Sequence, residues 1–338
     1  NKSFTVDNQA TIVGGRNIAQ EYFQLKSASE FVDFDVLGFG PVAADVSETF
    51  DTFWNHPLAM PLSAFATGPD SRPKDRANTS RALDSDSETI YEEALDAPLV
   101  QDLLQGRARL YPADAEVITD DPEKLLHKIS PDHQLLVTRM AEIVDAAKRE
   151  VIVISPYFIP GNEGVEYWKR IVDKGVRVIV LTNSLASTNH PAVHSAYSRY
   201  RKKLLAAGVE LFEARANAAA HDPSTGTQLN TLTLHTKAVL IDGRYTFVGS
   251  LNLDPRSIDI NTEMGLLIDS AEMSAPLSAS ILRDLPGFSY RLTLTDDRQL
   301  LWHAEINGKQ VTEIDEPLAR GWLKLKAFLL KIVPESQL

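Results

Sequence analysis

Apolar and polar residues change period several times along the chain, and the changes mark out its elements. Short continuous apolar runs at Val151 to Ile154, Val176 to Leu181 and Val209 to Phe212 alternate with segments whose apolar residues recur every three or four positions. The runs have strand length, whereas residues 163–173 and 191–207 read as helices, the second closed by Gly208. A further helix is expected over 133–147, from Leu136, Met140, Ile143 and Val144. Strands alternating with helices of this length predict βαβ units and a largely parallel sheet covered on both faces. Ligands of such sheets collect at the carboxyl ends of strands, which places Ser155 to Phe158 and residues 182–184 near a site.

Elsewhere the pattern favours strand pairs. Ser3 to Val6 and Thr11 to Val13 flank a polar turn, residues 17–23 read as a helical turn, and residues 31–39 read as one buried strand carrying Asp33 and Asp35. Residues 42–54 have helical spacing and pack back on that sheet. From Pro57 to Thr89 no period survives, so the stretch reads as a linker. One helix is expected within 91–104, a strand-like return over 110–119, and a helix start at Asp120 to Glu123. Residues 214–231 form a loop in which His221 reads as surface, with a lid over a site as the alternative. The tail alternates as hairpin strands over 289–316. It then turns helical over 317–333, with Trp322, Leu325, Leu329 and Ile332 on one face and Arg320, Lys324 and Lys331 across from it.

The chemistry concentrates between Leu232 and Arg256, LTLHTKAVLIDGRYTFVGSLNLDPR. His235, Lys237 and Asp242 fit H-x-K-x4-D, and Gly249, Ser250 and Asn252 follow as G-S-x-N. Read as a strand, a turn at Asp242-Gly243 and a return strand, the stretch projects His235 and Lys237 from one face. An imidazole and an ammonium so placed suit a tetrahedral phosphate, the first as nucleophile or proton carrier, the second as counter-charge. Lys2, Asp7, Gly14, Gly15 and Asn17 repeat the frame after a shift of 235 residues. In that first copy the histidine would directly precede Asn1, so the chain reads as a piece of a longer protein.

Both segments resemble the paired HKD motifs of the phospholipase D superfamily, and the flanking SPYFIPGNEGV, LTNSLASTNHPAVHSAYSRYRKKLLAAGVELFE and DPRSIDINTEMGLLI resemble its bacterial cardiolipin synthases. The resemblance implies a pseudo-twofold pair of α/β sandwich domains with largely parallel sheets, the first truncated at its N-terminus. Residues 1–60 would be the end of the first half-domain, 61–123 a linker or insertion, 124–288 the complete second domain, and 289–338 a hairpin layer with an amphipathic helix. It further implies a phosphatidyl transfer through a phosphohistidine, with no metal or cofactor. Lys2, His235 and Lys237 would act on the phosphate, and Asn17, Ser250 and Asn252 would help hold it. Glu263 would orient His235, and Asp35 the missing histidine. Asp7 and Asp242 would be structural.

His194, Tyr197 and Arg201 share one helix face. They read either as a solvated surface or, by resemblance, as a wall of the phosphate pocket. Tyr157 and Phe158 divide similarly between packing and lipid-pocket walls. The substrates implied are phosphatidylglycerol and phosphatidylethanolamine, at the cytoplasmic face of the bacterial inner membrane, bound peripherally to its anionic surface.

Composition narrows these readings. Of the 338 residues 43% are hydrophobic, enough for two domains with sizeable cores. The net charge of −12 argues against a non-specific nucleic-acid binder, which needs a basic footprint, so no nucleic-acid partner is expected and a nuclease is the disfavoured rival. A non-catalytic membrane-associated remnant is the second rival. With no cysteine there are no disulfides and no cysteine-ligated zinc. The parent gene is expected to encode a histidine directly before Asn1 and a further half-domain upstream. Sequencing of that gene checks this, and an upstream region lacking both would sink it.

Overall fold

The computed structural model describes residues 2–23, 29–65, 92–126, 136–218, 231–335 and 338. Its contacts divide the chain into one unit of Asn1–Phe53 with Ala113–Leu338, and a smaller unit of Trp54–Pro112.

In the larger unit, β1 (Ser3–Val6) and β2 (Ala10–Gly14) form an antiparallel pair around Asp7 and Asn8, both left-handed at φ 51° and 54°. The single strand expected over 31–39 is two: β3 (Ser29–Val32) and β4 (Asp35–Phe39). They separate because β4 pairs with β2 whereas β3 runs parallel to the later β9, so the backbone must turn at Asp33 and Phe34. Helix α1 (Pro41–Trp54) follows, burying Ala43, Val46 and Thr49. In the smaller unit, α2 (Pro98–Leu104) starts at a proline, where the missing N–H is harmless, and this interrupts the helix expected over 91–104.

The chain then lays down β5 (Asp114–Thr119), α3 (Leu136–Asp145), β6 (Glu150–Ile154), α4 (Gly161–Asp173) and β7 (Arg177–Asn183). The long helix expected over 191–207 splits into α5 (Pro191–Tyr197) and α6 (Arg201–Ala206), because Arg199 and Tyr200 donate to carbonyls three residues back and tighten the turn. Next come β8 (Glu210–Ala214), β9 (Thr231–Leu234), β10 (Ala238–Ile241), β11 (Tyr245–Gly249), α7 (Pro255–Asp259) and β12 (Met264–Asp269). Sequence reasoning missed α8 (Ala271–Phe288), which contains Pro276 and Pro286. A helix-interior proline costs about 3 kcal/mol. Here Leu277, Ile281, Leu282, Leu285 and Phe288 pack on Ile152, Ile179 and Leu240 of the sheet, and that burial outweighs it. Strands β13 (Ser289–Leu294), β14 (Leu300–Ile306) and β15 (Lys309–Glu313) and helix α9 (Gly321–Leu330) complete the chain.

Ten strands form one sheet in the order β15-β14-β13-β8-β7-β6-β10-β11-β12-β5. The α/β class expected is the one observed, and the sheet is mixed. Parallel pairing joins β6, β7 and β8, where helices provide the crossovers, and the remaining neighbours are antiparallel. The tail strands extend this same sheet beside β8, and β5, expected within the linker, pairs with β12.

The repeat is visible in the elements. A shift of 235 residues carries Ser3–Val6 onto Ala238–Ile241 and Ala10–Gly14 onto Tyr245–Gly249. The turns correspond too, Asp242 and Gly243 being left-handed at φ 56° and 61°. The equivalent residues Val13 and Val248 are both fully buried and share one cluster with Val46, Met264, Leu266 and Ile268, which welds the two halves together.

Asp242 ties that second turn to the sheet. Its Oδ1 accepts from the Arg149 and Glu150 N–H groups at 2.7 and 3.0 Å, and its Oδ2 from Lys148 N–H at 2.8 Å. Burial works to raise its pKa, but these three donors outweigh it and hold the carboxyl below its ordinary value. Such a group stabilises at neutral pH and loses its contribution as pH falls through its folded-state pKa. Asp242→Asn should cost about 1–3 kcal/mol and lower the melting temperature. A variant that melts like the wild type yet is inactive would overturn the structural role.

Candidate active site

Residues 235–237 leave strand conformation between β9 and β10, so the expected alternation does not hold there. Two anchors hold the bend. The Val32 carbonyl accepts from the His235 and Thr236 N–H groups at 2.8 and 3.0 Å. The Asn183 side chain, at the carboxyl end of β7, clamps Leu234 from both sides, Oδ1 accepting from Leu234 N–H at 2.9 Å and Nδ2 donating to Leu234 O at 2.8 Å. His235 and Lys237 nevertheless share one cavity, as expected, with Lys2 of the first half.

His235 lies between two partners. Its Nδ1–H donates to Asp33 Oδ2 at 2.7 Å, which leaves the Nε2 lone pair to accept from the Tyr22 hydroxyl at 3.1 Å. Tyr22 in turn accepts from Asn17 Nδ2 at 2.7 Å, and Asn17 Oδ1 accepts from Lys2 Nζ. The Phe31 ring stacks on the imidazole with centroids 5.5 Å apart. Lys237 Nζ donates to the His235 carbonyl at 2.6 Å and lies 3.0 Å from Nδ1.

Burial governs the protonation of these groups. It pushes the His235 imidazole below its ordinary value, with Asp33 opposing and the Lys237 charge assisting. Burial likewise brings Lys237 down to about 8 against the pull of Asp33, and lowers Lys2 against Glu263 and Asp33. Asp254, which caps α7 through Ser257 N–H at 2.8 Å, is pushed up to about 6 by burial.

The second-half groups complete a cavity of about 420 Å³, lined by Ser250, Asn252 and Glu263 beside the lysines and His235. A Cβ on Gly249 would collide with the Met264 carbonyl, so a glycine is required where β11 meets β12. Asn252 Oδ1 is buried and finds no hydrogen-bond partner among the described residues. Glu263 accepts from Ser250 Oγ at 2.5 Å and from Asn261 Nδ2 at 3.4 Å.

The carboxylate assignments therefore change. Asp33, and not Glu263, holds the imidazole. Asp35 faces Arg16, whose Nε donates to it at 2.6 Å. Strand register explains the second difference: Gly14 pairs with Asp35 as Gly249 pairs with Gly265, so Asp33 occupies the place of Glu263, two residues earlier. Asp7 keeps the turn position matching Asp242.

His194 and Tyr197 are neither solvated nor in the cavity. They are 4% and 1% exposed, beneath the C-terminal segment, where His194 Nδ1 donates to the Asn183 carbonyl at 3.2 Å. Arg201 there bridges Glu213 and Glu316 at 3.1 and 2.5 Å. These residues were misplaced because helical spacing groups them on one side without saying what covers it. Phe158 is core, packed against Tyr197. Tyr157 donates to Asn189 Oδ1 at 3.1 Å, and burial pushes its phenol up to about 12. His221 and Asp222 lie outside the described residues. Sequence reasoning did not assign Tyr22 or Asn183. Residue 183 did fall in a stretch flagged by its strand end.

Residues 140–285 match the family model described as cardiolipin synthase, PLD-like domain. Cardiolipin synthase C of Escherichia coli (strain K12) is 34% identical over 340 residues, covering 99% of this chain and 72% of that protein. The chain belongs to the cardiolipin synthase family of the phospholipase D superfamily. Cardiolipin synthase A of Pseudomonas syringae pv. syringae is 29% identical over 286 residues, 84% of this chain and 46% of that protein. In fold, the chain resembles the crystal structure of phosphatidylserine synthase from Haemophilus influenzae Rd KW20, with a TM-score of 0.52 at 14% identity over 85% of this chain and 61% of that one.

Because burial brings Lys237 down to about 8, anion binding in this cavity should weaken as pH rises through that value, where its ammonium is lost. Calorimetric titration with inorganic phosphate at about pH 7 and about pH 9 measures this, relative to the ordinary lysine value of about 10.4. Lys237→Gln should remove most of the dependence. Equal slopes in the two proteins would exclude Lys237 as its source.

Proposed function

We propose that this chain supplies most of the active site of a phosphatidyl transferase that, like its cardiolipin synthase relatives, joins phospholipids by exchange at phosphorus. The observation that carries the reading is the convergence of Lys2 from the first repeat with His235, Lys237, Ser250 and Asn252 from the second in one cavity. Two ammonium groups set against the Glu263 carboxylate, with neutral donors beside them, leave the cavity with a positive charge that complements the single negative charge of a phosphodiester.

The reaction runs in two displacements without a metal. The lone pair of one motif histidine attacks phosphorus, the bond from phosphorus to the departing alcohol breaks, and the other histidine gives that oxygen its proton. The second histidine then takes a proton from the incoming hydroxyl, whose oxygen displaces the histidine nitrogen from phosphorus. His235 is the acid and base, and the histidine expected before Asn1 is the nucleophile, although the near-symmetry of the repeats allows the reverse. Support for the proton-carrying role lies in Nδ1, fixed on Asp33, which leaves Nε2, now on the Tyr22 hydroxyl, as the nitrogen that exchanges the proton. Burial lowers the imidazole pKa, which favours the unprotonated form that takes the proton from the incoming hydroxyl in the second displacement, while the first displacement starts from the ring protonated at both nitrogens. Lys2, Lys237, Asn17 and Asn252 hold the phosphate, while Glu263 orients Ser250. Phosphatidylglycerol is the favoured substrate and phosphatidylethanolamine a second donor. Transfer to phosphatidylglycerol makes cardiolipin, and transfer to water makes phosphatidic acid. The protein works peripherally at the cytoplasmic face of the inner membrane.

His235→Ala or Lys237→Ala in the full-length protein should lower phosphatidyl transfer by about 10³, the scale of losing an acid–base group or an electrostatic clamp. Turnover of phosphatidylglycerol to cardiolipin measures it, with circular dichroism as the control for folding. Near-normal rates in either variant would reject the assignment.

A further inference from the structure

Helix α9 is apolar on two sides. On one side Ala327 is buried against α5, where Ser195 Oγ donates to the Ala327 carbonyl at 2.6 Å and Arg199 donates to the Lys331 carbonyl. Ion pairs at both ends reinforce this docking, Arg201 with Glu316 at 2.5 Å and Arg199 with Glu335 at 2.8 Å. On the other side Trp322, Leu325, Phe328, Leu329 and Ile332 are 57–85% exposed. Leu318, also exposed, sits beside the helix start in a left-handed backbone at φ 59°, a conformation that side chains other than glycine rarely adopt. So large an apolar surface on a helix already packed by its opposite side is unusual in water.

Charge identifies what fits it. Residues 317–333 contain Arg320, Lys324, Lys326 and Lys331 and no acidic residue, in a chain of net charge −12, and of these Lys324 is paired with Asp315, just before the stretch, at 2.6 Å. An isologous pairing with a second copy would bring the same four cations against each other. Among the described residues no helix is long and apolar enough to cross a membrane. We propose that this face of α9 lies in the interfacial zone of an anionic bilayer, its apolar side chains at the acyl boundary and Arg320, Lys326 and Lys331 extended to the headgroups. The remaining acidic surface is repelled from such a bilayer, so attachment is oriented. A chain of contacts joins the helix to the site: α5 carries His194, His194 donates to the Asn183 carbonyl, and Asn183 clamps the residue before His235.

The proposal draws on the phospholipid reading only for the choice of vesicle, and its test uses attachment rather than turnover. Flotation of the full-length protein is measured with vesicles of phosphatidylglycerol and phosphatidylcholine, and of phosphatidylcholine alone, at low and high salt. The wild type should float with the anionic vesicles and less so at high salt, since the Debye length shortens from about 10 Å at 0.1 M to about 3 Å at 1 M. The triple variant Trp322→Ser, Phe328→Ser, Ile332→Ser should float roughly tenfold less while melting like the wild type. Brominated lipids should quench tryptophan fluorescence in the wild type and not in Trp322→Phe, which keeps the test open should the triple variant fail to fold. His235→Ala should float normally, which separates attachment from catalysis. Equal flotation of the triple variant and wild type, or absence of Trp322 quenching, would overturn the proposal. So would conversion of a dimer to a monomer by the triple variant in lipid-free solution, which would make this face a protein interface.

Discussion

The site depends on compensating charges that have been taken out of water at the seam between two repeats. Lys237 and His235 are 2% and 6% exposed. An isolated ammonium in such a place would neutralise, and Lys237 has moved part of the way. What keeps it cationic near neutral pH is the opposing field of carboxylates from both repeats, Asp33 from the first and Glu263 from the second. The same carboxylates act on Lys2. The arrangement suits phosphate chemistry, because a weakly hydrated cation in a low-dielectric cavity attracts an anion more strongly than an exposed one does.

Holding opposite charges in register requires the repeats to meet closely, and apolar packing does that. Val13 and Val248, equivalent by the repeat, lie in one cluster at the seam. Just beyond them Gly14 and Gly249 pair with Asp35 and Gly265, with no room for a Cβ at either glycine. Side chains there would push β4 and β12 outward and carry Asp33 and Glu263 away from the amines. The G-x-x-N frames thus matter first as backbone constraints. Their polar residues follow the tight strand pair into the cavity.

Much of this was legible in the residues. Continuous apolar runs between helical repeats identified β6, β7 and β8, and the doubled frame identified Lys2, His235, Lys237, Ser250 and Asn252, which the fold brings together. The failures share a cause, since spacing along the chain carries no register across it. One apolar run hides the break at Asp33 and Phe34 because β3 and β4 have different partners, so the carboxylate at the place of Glu263 is Asp33 where the run suggests Asp35. His235 and Lys237 occupy a bend made by the Val32 carbonyl and the Asn183 clamp, both distant in sequence. His194, Tyr197 and Arg201 were grouped correctly on one face, but their cover comes from Glu316, far along the chain. Two prolines concealed α8, whose stability is tertiary.

The orientation of the His235 imidazole is consequently a property of the assembled seam. Its Nδ1 is held by a carboxylate of the first repeat, and its Nε2 by a tyrosine that the first repeat also supplies, at the end of the relay from Lys2 through Asn17. Its main-chain position is set by Val32 of the first repeat and Asn183 of the second. Neither repeat therefore contains an oriented imidazole by itself. A loosened seam would return the ring to water, where its pKa rises toward the ordinary value and the Nδ1–H loses its fixed acceptor. The orientation of the histidine and the packing of the two repeats are in this sense one requirement: the seam that excludes water from Val13 and Val248 is also where the imidazole is held with its Nδ1–H on Asp33.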